Sequence, residues 1–263
     1  MTYENILFNV EEDIATITFN RPEILNALNA ESLKELSHAL DEVALNEDIR
    51  VLILTGSGEK SFVAGADITE FPTFNALTAK LFSQTGHDLM NKLQKLPIPV
   101  IAAINGYALG GGCEVAIACD FIYASENAMF GLPEINLGII PGFGGTQRLP
   151  RLVGANMAKE MIFTGKMITA AEARAIGLVN SVWPQEALMS EVIKIAKTMA
   201  SKGKVSLRAA KQAINNGVDV NLGTGCRIET DAFALCLASQ DAKEGTSAFL
   251  EKREANFRGG LKD

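Results

Sequence analysis

Histidine is almost missing from this chain, with His38 and His87 the only two in 263 residues. Both fall on stretches with helical spacing, away from any glycine-rich loop. Each reads as an ordinary helix-surface residue, so a histidine-based triad has little support. Cysteine is scarce as well. Cys113, Cys119, Cys226 and Cys236 form no CxxC pair and no Cys/His ligand spacing, so reduced thiols in a reducing compartment are expected rather than a disulfide or zinc framework. Walker A, GxGxxG, GxSxG and HExxH motifs are all absent, which removes the commonest nucleotide, hydrolase and metalloprotease signatures. Positive charge is in deficit, with 24 Lys+Arg against 31 Asp+Glu and a net charge of −7. Such a balance repels a phosphate backbone unless a strong basic patch is concentrated locally. No apolar run approaches the roughly 18 residues of a membrane span. The N-terminus, MTYENILFNVEED, is acidic where a secretory leader would be basic, and a cytoplasmic protein is expected.

What the chain does have is apolar content, 48% hydrophobic against 21% charged. That suits a buried core in one large domain, or one domain plus an appendage, and excludes disorder and fibre. Residues 14–19 alternate and stop at Asn20-Arg21-Pro22, which predicts a strand and a turn. From Asn29, a good N-cap, Leu33, Leu36, Leu40 and Val43 recur at helical spacing and predict an amphipathic helix ending near Asn46. The run VLILT at 51–55, bounded by Gly56 and Gly58, reads as a strand buried on both faces. The arrangement recurs with PVIAAI at 99–104, a triple glycine and a helix over 113–119. Short strands alternating with helices point to an α/β core with parallel pairing. After about residue 150 the spacing is mostly helical. Thr169-Ala170-Ala171-Glu172 is a capping box closed by Gly177, Asp241-Ala242-Lys243-Glu244 resembles another, and 185–216 and 224–257 read as helices. No Pro/Gly/Ser linker, low-complexity segment or strict repeat divides the chain.

Three loops of small residues carry the chemistry the sequence offers. SFVAGADI at 61–68 and ALGGGCE at 108–114 each follow an apolar strand. If the two are adjacent, free amides at a helix start could hold a developing oxyanion between them; alternatively the glycines serve only tight packing. Glu114 sits in an otherwise apolar segment, and Glu134 lies in FGLPEI at 130–135. Two buried acids can divide acid and base duties. The bland alternatives are an N-terminal cap for Glu114 and an ion pair from Glu134 to Arg148 or Arg151. PGFGGTQR at 141–148 would start another helix and either bind an anion or water or simply turn the chain.

These segments closely resemble the crotonase (enoyl-CoA hydratase) superfamily. The matching blocks are NRPEILNALN (20–29), SFVAGADI (61–68), AAINGYALGGGCEVAIACD (102–120), FGLPEINLGIIPGFGGTQRLPRLVG (130–154) and AFLEKR (248–253). The resemblance implies an α/β fold built as a spiral of ββα turns over 1–200, with a C-terminal helical region over 201–263 that mediates trimer formation, commonly doubled to a hexamer. It also implies an acyl-CoA thioester substrate whose oxygen is held by the amides of Ala66 and Gly111. Ala64, Asp67 and Ile68 would lie along the CoA adenine pocket, Gly142 would help hold a water, and Lys252 would reach CoA on a neighbouring subunit. With both hydratase acids present, the resemblance favours water addition to a short-chain enoyl-CoA, Glu114 positioning the water and Glu134 delivering a proton to C2. It implies no metal or redox cofactor, coenzyme A entering as part of the substrate. An isomerase, or a hydratase of a branched or cyclic acyl group, is the alternative. Leu132 stands where many hydratases have Gln and Thr69 where Lys is frequent, departures that bear on the acyl pocket and a phosphate contact. One basic stretch, Lys194, Lys197, Lys202, Lys204, Arg208 and Lys211, raises RNA binding as the reading from another class, against that of solvated helix faces.

Overall fold

The computed structural model describes residues 3–260, apart from the side chain of Glu70. The chain opens with an antiparallel hairpin, β1 (Ile6–Glu11) against β2 (Ile14–Phe19), Ile6 lying opposite Phe19. Helix α1 (Ala30–Leu45) follows and returns the chain to β3 (Val51–Gly56), which pairs in parallel with β2. Asn29 caps α1 by accepting from the Ser32 amide, and Asn46 closes it, as the spacing predicts.

From β3 onward each turn of chain places one strand in each of two sheets before its helix. β3 is followed by β4 (Ser61–Ala64) and α2 (Ala76–Lys95). Next come β5 (Val100–Ile104), β6 (Tyr107–Leu109) and α3 (Gly111–Ala116), then β7 (Phe121–Ser125), β8 (Met129–Gly131) and α4 (Gly145–Val153). Helix α5 (Ala155–Thr164), β9 (Ile168–Thr169), α6 (Ala170–Ala175), β10 (Ser181–Trp183) and α7 (Gln185–Ala200) complete the winding. Among the described residues the larger sheet runs β1-β2-β3-β5-β7-β10 and the smaller β4-β6-β8-β9. This is the ββα spiral that the sequence implied.

The central strands of the larger sheet are covered on both faces, as their unbroken apolar runs require. Every residue of β3 is buried. Its Leu52 and Leu54 face the main core with α1 and α2, while Val51 and Ile53 face Leu188, Val192 and Ala196 of α7. The helix after the triple glycine begins earlier than expected, at Gly111 rather than Cys113, because the glycines themselves form its first turn.

The last three helices are α8 (Lys204–Gly217), α9 (Leu222–Ala238) and α10 (Gln240–Glu251). The helix expected over 185–216 is broken at Gly203 and the one over 224–257 at Ser239. The predicted capping box at Asp241 is replaced by Ser239, whose hydroxyl accepts from the Ala242 amide; Asp241 accepts instead from the Gly259 amide, because the tail folds back over α10. The Thr169–Glu172 box forms as read. Lys211 ties α8 to the core through Asp120 at 2.7 Å and the Ile98 carbonyl at 3.0 Å. By contrast α9 has no buried residue, and Phe233, Leu235, Leu237, Phe249 and Leu250 are all exposed.

The basic stretch does not assemble into one face. Lys194 pairs with Glu191, Lys197 with Glu12 and Lys211 with Asp120, while Lys204 is buried. Three of the six cations are thus paired with acids and one is buried.

Candidate active site

Strands β4, β6 and β8 lie side by side in parallel, with Ala64 opposite Leu109 and Leu109 opposite Gly131. Their C-terminal ends therefore open at one edge of the smaller sheet, where ligands of parallel sheets characteristically bind. Each end delivers one part of the site. After β4 come Gly65 and Ala66, after β6 Gly110 and Gly111, and after β8 Leu132, Pro133 and Glu134. All three ends contribute to one cleft of about 1270 Å³, which also takes in Glu114, Gly142, Phe143 and the Phe82, Ser83 and His87 side of α2.

The two small-residue loops present free amides. The Leu28 amide donates to the Gly65 carbonyl at 2.9 Å and the Asp67 amide to the Leu28 carbonyl at 2.7 Å, and the Ala66 N–H between them has no acceptor among the described residues. Gly111 is the first residue of α3, where a helix leaves its N–H groups unpaired. Gly110 before it holds φ +49°, a backbone that disfavours a side chain. A Cβ built on Gly112 would lie 2.0 Å from the Val63 carbonyl oxygen, so only glycine lets α3 seat directly on β4. The triple glycine therefore serves packing and also brings the two donors to one cleft.

The carboxyls occupy unlike environments. Glu114 is buried, and its Oε1 accepts from the amides of Phe143 and Gly145, each at 2.7 Å. It does not cap its own helix. Burial dominates and leaves its pKa raised above the ordinary carboxyl value, the two amides and the nearby Arg148 charge opposing part of that push by favouring the carboxylate. The amides of the third glycine loop, at the start of α4, turn onto the Glu114 carboxyl. Glu134 has less support, a single backbone hydrogen bond from its own residue favouring the carboxylate. Its Oε2 is buried without a hydrogen-bond partner, and Oε1 lies against Gly110, where a Cβ would meet it at 3.0 Å. Burial, with the charge of Glu114 added, raises its pKa to about 7. The suggested ion pair to Arg148 or Arg151 is not made. Arg151 pairs with Asp219, and Arg148 donates to Asn91, Gln94 and the Phe143 carbonyl.

Of the other residues singled out in the sequence, Ala64, Ile68 and Gly142 line the cleft. Asp67 does not; its carboxylate caps the following turn through the Thr69 amide and hydroxyl and pairs with Arg21 at 3.4 Å. Thr69 is engaged in the same turn. Lys252 is exposed at the end of α10 with φ +58° and does not line the cleft of its own chain. Leu132 is fully buried with its side chain toward Gly145 and does not line the cleft. His87 overturns the expectation of a remote surface residue. It lines the cleft, because α2 passes over the 142–145 loop. Phe71, Phe74, Phe82 and Ser83 also went unread. Phe71, Phe74 and Phe82 form a ring cluster that continues to Phe143, with neighbouring centroids 5.2–5.8 Å apart. Their one sequence signal was the density of phenylalanine over 71–82. Among the described residues no group of three or more His, Cys, Asp or Glu is gathered as metal ligands.

Comparison with known proteins agrees with this arrangement. Residues 9–260 match the family model described as enoyl-CoA hydratase/isomerase. The chain is 51% identical over 257 residues to a crotonyl-CoA hydratase of Syntrophomonas wolfei, covering 98% of this chain and 99% of that protein. It is 47% identical to a short-chain-enoyl-CoA hydratase of Clostridium acetobutylicum, covering 97% of each. The crystal structure of an enoyl-CoA hydratase from Bacillus anthracis superposes with a TM-score of 0.93 at 44% identity, covering 97% of this chain and 99% of that one. With the winding, the paired amides and the match over nearly the whole length in agreement, the chain belongs to the enoyl-CoA hydratase/isomerase family.

Proposed function

We propose that the protein catalyses the reversible hydration of a short-chain trans-2-enoyl-CoA, crotonyl-CoA in the first instance, to the 3-hydroxyacyl-CoA. The observation that carries this reading is the pair of unlike carboxyls, Glu114 and Glu134, facing one cleft beside two unpaired amides. Adding water across the conjugated bond puts hydroxyl on C3 and a proton on C2, and charge grows on the thioester oxygen on the way. Amides of Ala66 and Gly111 that grip this oxygen stabilise the transition state more than the ground state. Glu114, whose carboxyl oxygen is held by two backbone amides, orients the water and takes its proton. Glu134, with its pKa raised to about 7, gives a proton to C2. Gly142, at the cleft wall, supplies a further amide to the water. An isomerase needs only proton transfer between carbons and has no use for a second, amide-held acid, so the two-acid site favours hydration.

The names of the two relatives support the short acyl chain, and the ring cluster from Phe71 to Phe143 supports it physically by narrowing one side of the cleft. The apolar face of α9 and α10 supports assembly into trimers or hexamers through 201–263, since a monomer seldom leaves so many large apolar side chains in water. The test is loss of the enoyl-thioester absorbance with crotonyl-CoA and a C6 to C10 enoyl-CoA series. Fast decay on crotonyl-CoA that fades with length is expected. No decay on any straight-chain substrate, with tight CoA-ester binding retained, would move the reading to an isomerase or an unusual acyl group.

A further inference from the structure

Glu114 is held by a loop, and the loop is itself held. Its amides at Phe143 and Gly145 converge on one carboxylate oxygen only because Gly144 between them takes φ +111°. Two carbonyls of the same loop are pinned from behind. The Ser83 hydroxyl on α2 donates to the Gly142 carbonyl, and Arg148 Nη1 donates to the Phe143 carbonyl at 3.2 Å. The guanidinium folds back from the first turns of α4 so closely over the loop that a Cβ on Gly144 would lie 2.2 Å from Nη1. On its far side it is anchored to α2, donating to Asn91 Oδ1 at 2.8 Å and to Gln94 Oε1 at 3.4 Å. It makes no direct ion pair with either site carboxylate.

We propose that Arg148 is a positioning residue for the reaction: clamped between α2 and the 142–145 loop, it holds the two amides that aim the Glu114 carboxylate into the cleft. A planar fork suits this task because its several donors satisfy Asn91, Gln94 and the Phe143 carbonyl at once, which an ammonium cannot do in the same plane. Its charge acts on Glu114 through the loop as well as through space, in the direction that favours the carboxylate. The charged and titratable groups facing Glu114 are Arg148 on α4, Glu134 after β8, the buried Cys113 thiol on α3, and His87 on α2, whose ring borders Gly144. Of these, Arg148 is the one that both bonds the loop and favours the ionised state.

The inference rests on the reading of Glu114 as the anionic base, and its test has an arm that needs no turnover. In the Glu134→Gln background, infrared difference spectra against Glu114→Gln/Glu134→Gln isolate the Glu114 carboxyl band as pH is stepped. Arg148→Met is expected to move its midpoint upward by about one pH unit, with Arg148→Lys in between. An unchanged midpoint in folded Arg148→Met overturns the proposal. If Arg148→Met fails to fold, Asn91→Ala/Gln94→Ala, which removes the anchors and leaves the guanidinium, is expected to move the midpoint in the same direction, and no movement there overturns the proposal equally. With both site acids intact, Arg148→Lys is expected to lower kcat for crotonyl-CoA about tenfold or more with KM little changed, and to move the acid limb of kcat upward. A loss confined to KM would refute a positioning role. Failure of the wild-type chain to hydrate crotonyl-CoA would sink the functional reading alone, since the infrared midpoint is read without substrate.

Discussion

Gly86 lies flat against the ring of Phe143, so close that a Cβ on Gly86 would meet Cδ1 of that ring at 1.9 Å. This contact joins α2 to the residue whose amide holds Glu114. Helix α2 therefore carries no acid or base of the site yet sets the position of the loop that binds one. Gly86→Ala is expected to push the ring aside and lower kcat on crotonyl-CoA. The strain of an overfilled core is about 1–3 kcal/mol. Thermal unfolding and steady-state kinetics on the same sample check it, and full activity with an unchanged Tm would show that the ring moves freely.

The two acids give the most direct prediction. Glu114→Gln and Glu134→Gln should each fold, bind a CoA ester and lose about 100- to 10,000-fold in hydration. Isothermal titration with a saturated acyl-CoA separates binding from turnover. Full activity in either variant would end the two-acid assignment.

Stability should record the raised pKa of Glu134. The folded state holds this proton up to about pH 7, while the unfolded chain releases it near the ordinary carboxyl value. Between these two values the folded state binds more protons, so this group's contribution falls as pH rises through the window and is level above it. Relative to wild type, Glu134→Gln should gain about 3 kcal/mol between pH 4.5 and pH 8. Urea unfolding at the two pH values measures the difference, and a pH-independent difference would contradict an ionising, poorly solvated Glu134.

The ion pair between Lys211 and Asp120 is largely buried at 2.7 Å, and Asp120 also accepts from the Val100 amide. Removing one partner strands the other charge. Lys211→Met is expected to cost about 3 kcal/mol in urea unfolding, with Lys211→Met/Asp120→Asn recovering part of it. If the single variant is as stable as wild type, α8 is not held to the core by this pair.

Much of this was legible in the chain. Asn29, Asn46 and the leucines between them state a helix with both ends, and VLILT states a strand covered on both faces, because such signals act within a few residues. Glu114 and Glu134 stood out because a charge in an apolar segment has no local use. His87 and Ser83 were not legible, since a residue on a helix face carries no mark of what passes over it. Asp241 misled for the same reason, and the partner of Asp67 was equally hidden. Asp67 turned to Arg21, 46 residues away, and Asp241 to a returning tail.

The sequence by itself determined the period of each element, the loops of small residues after the strands and the two acids, for these depend on neighbours along the chain. Only the tertiary structure decided which acid receives two backbone amides. That follows from two amides arriving from a loop 29 and 31 residues further on, held by Arg148 and by the glycine face of α2. Proton affinity is set by the solvation and charge around a group in space, and no local pattern in the chain encodes that.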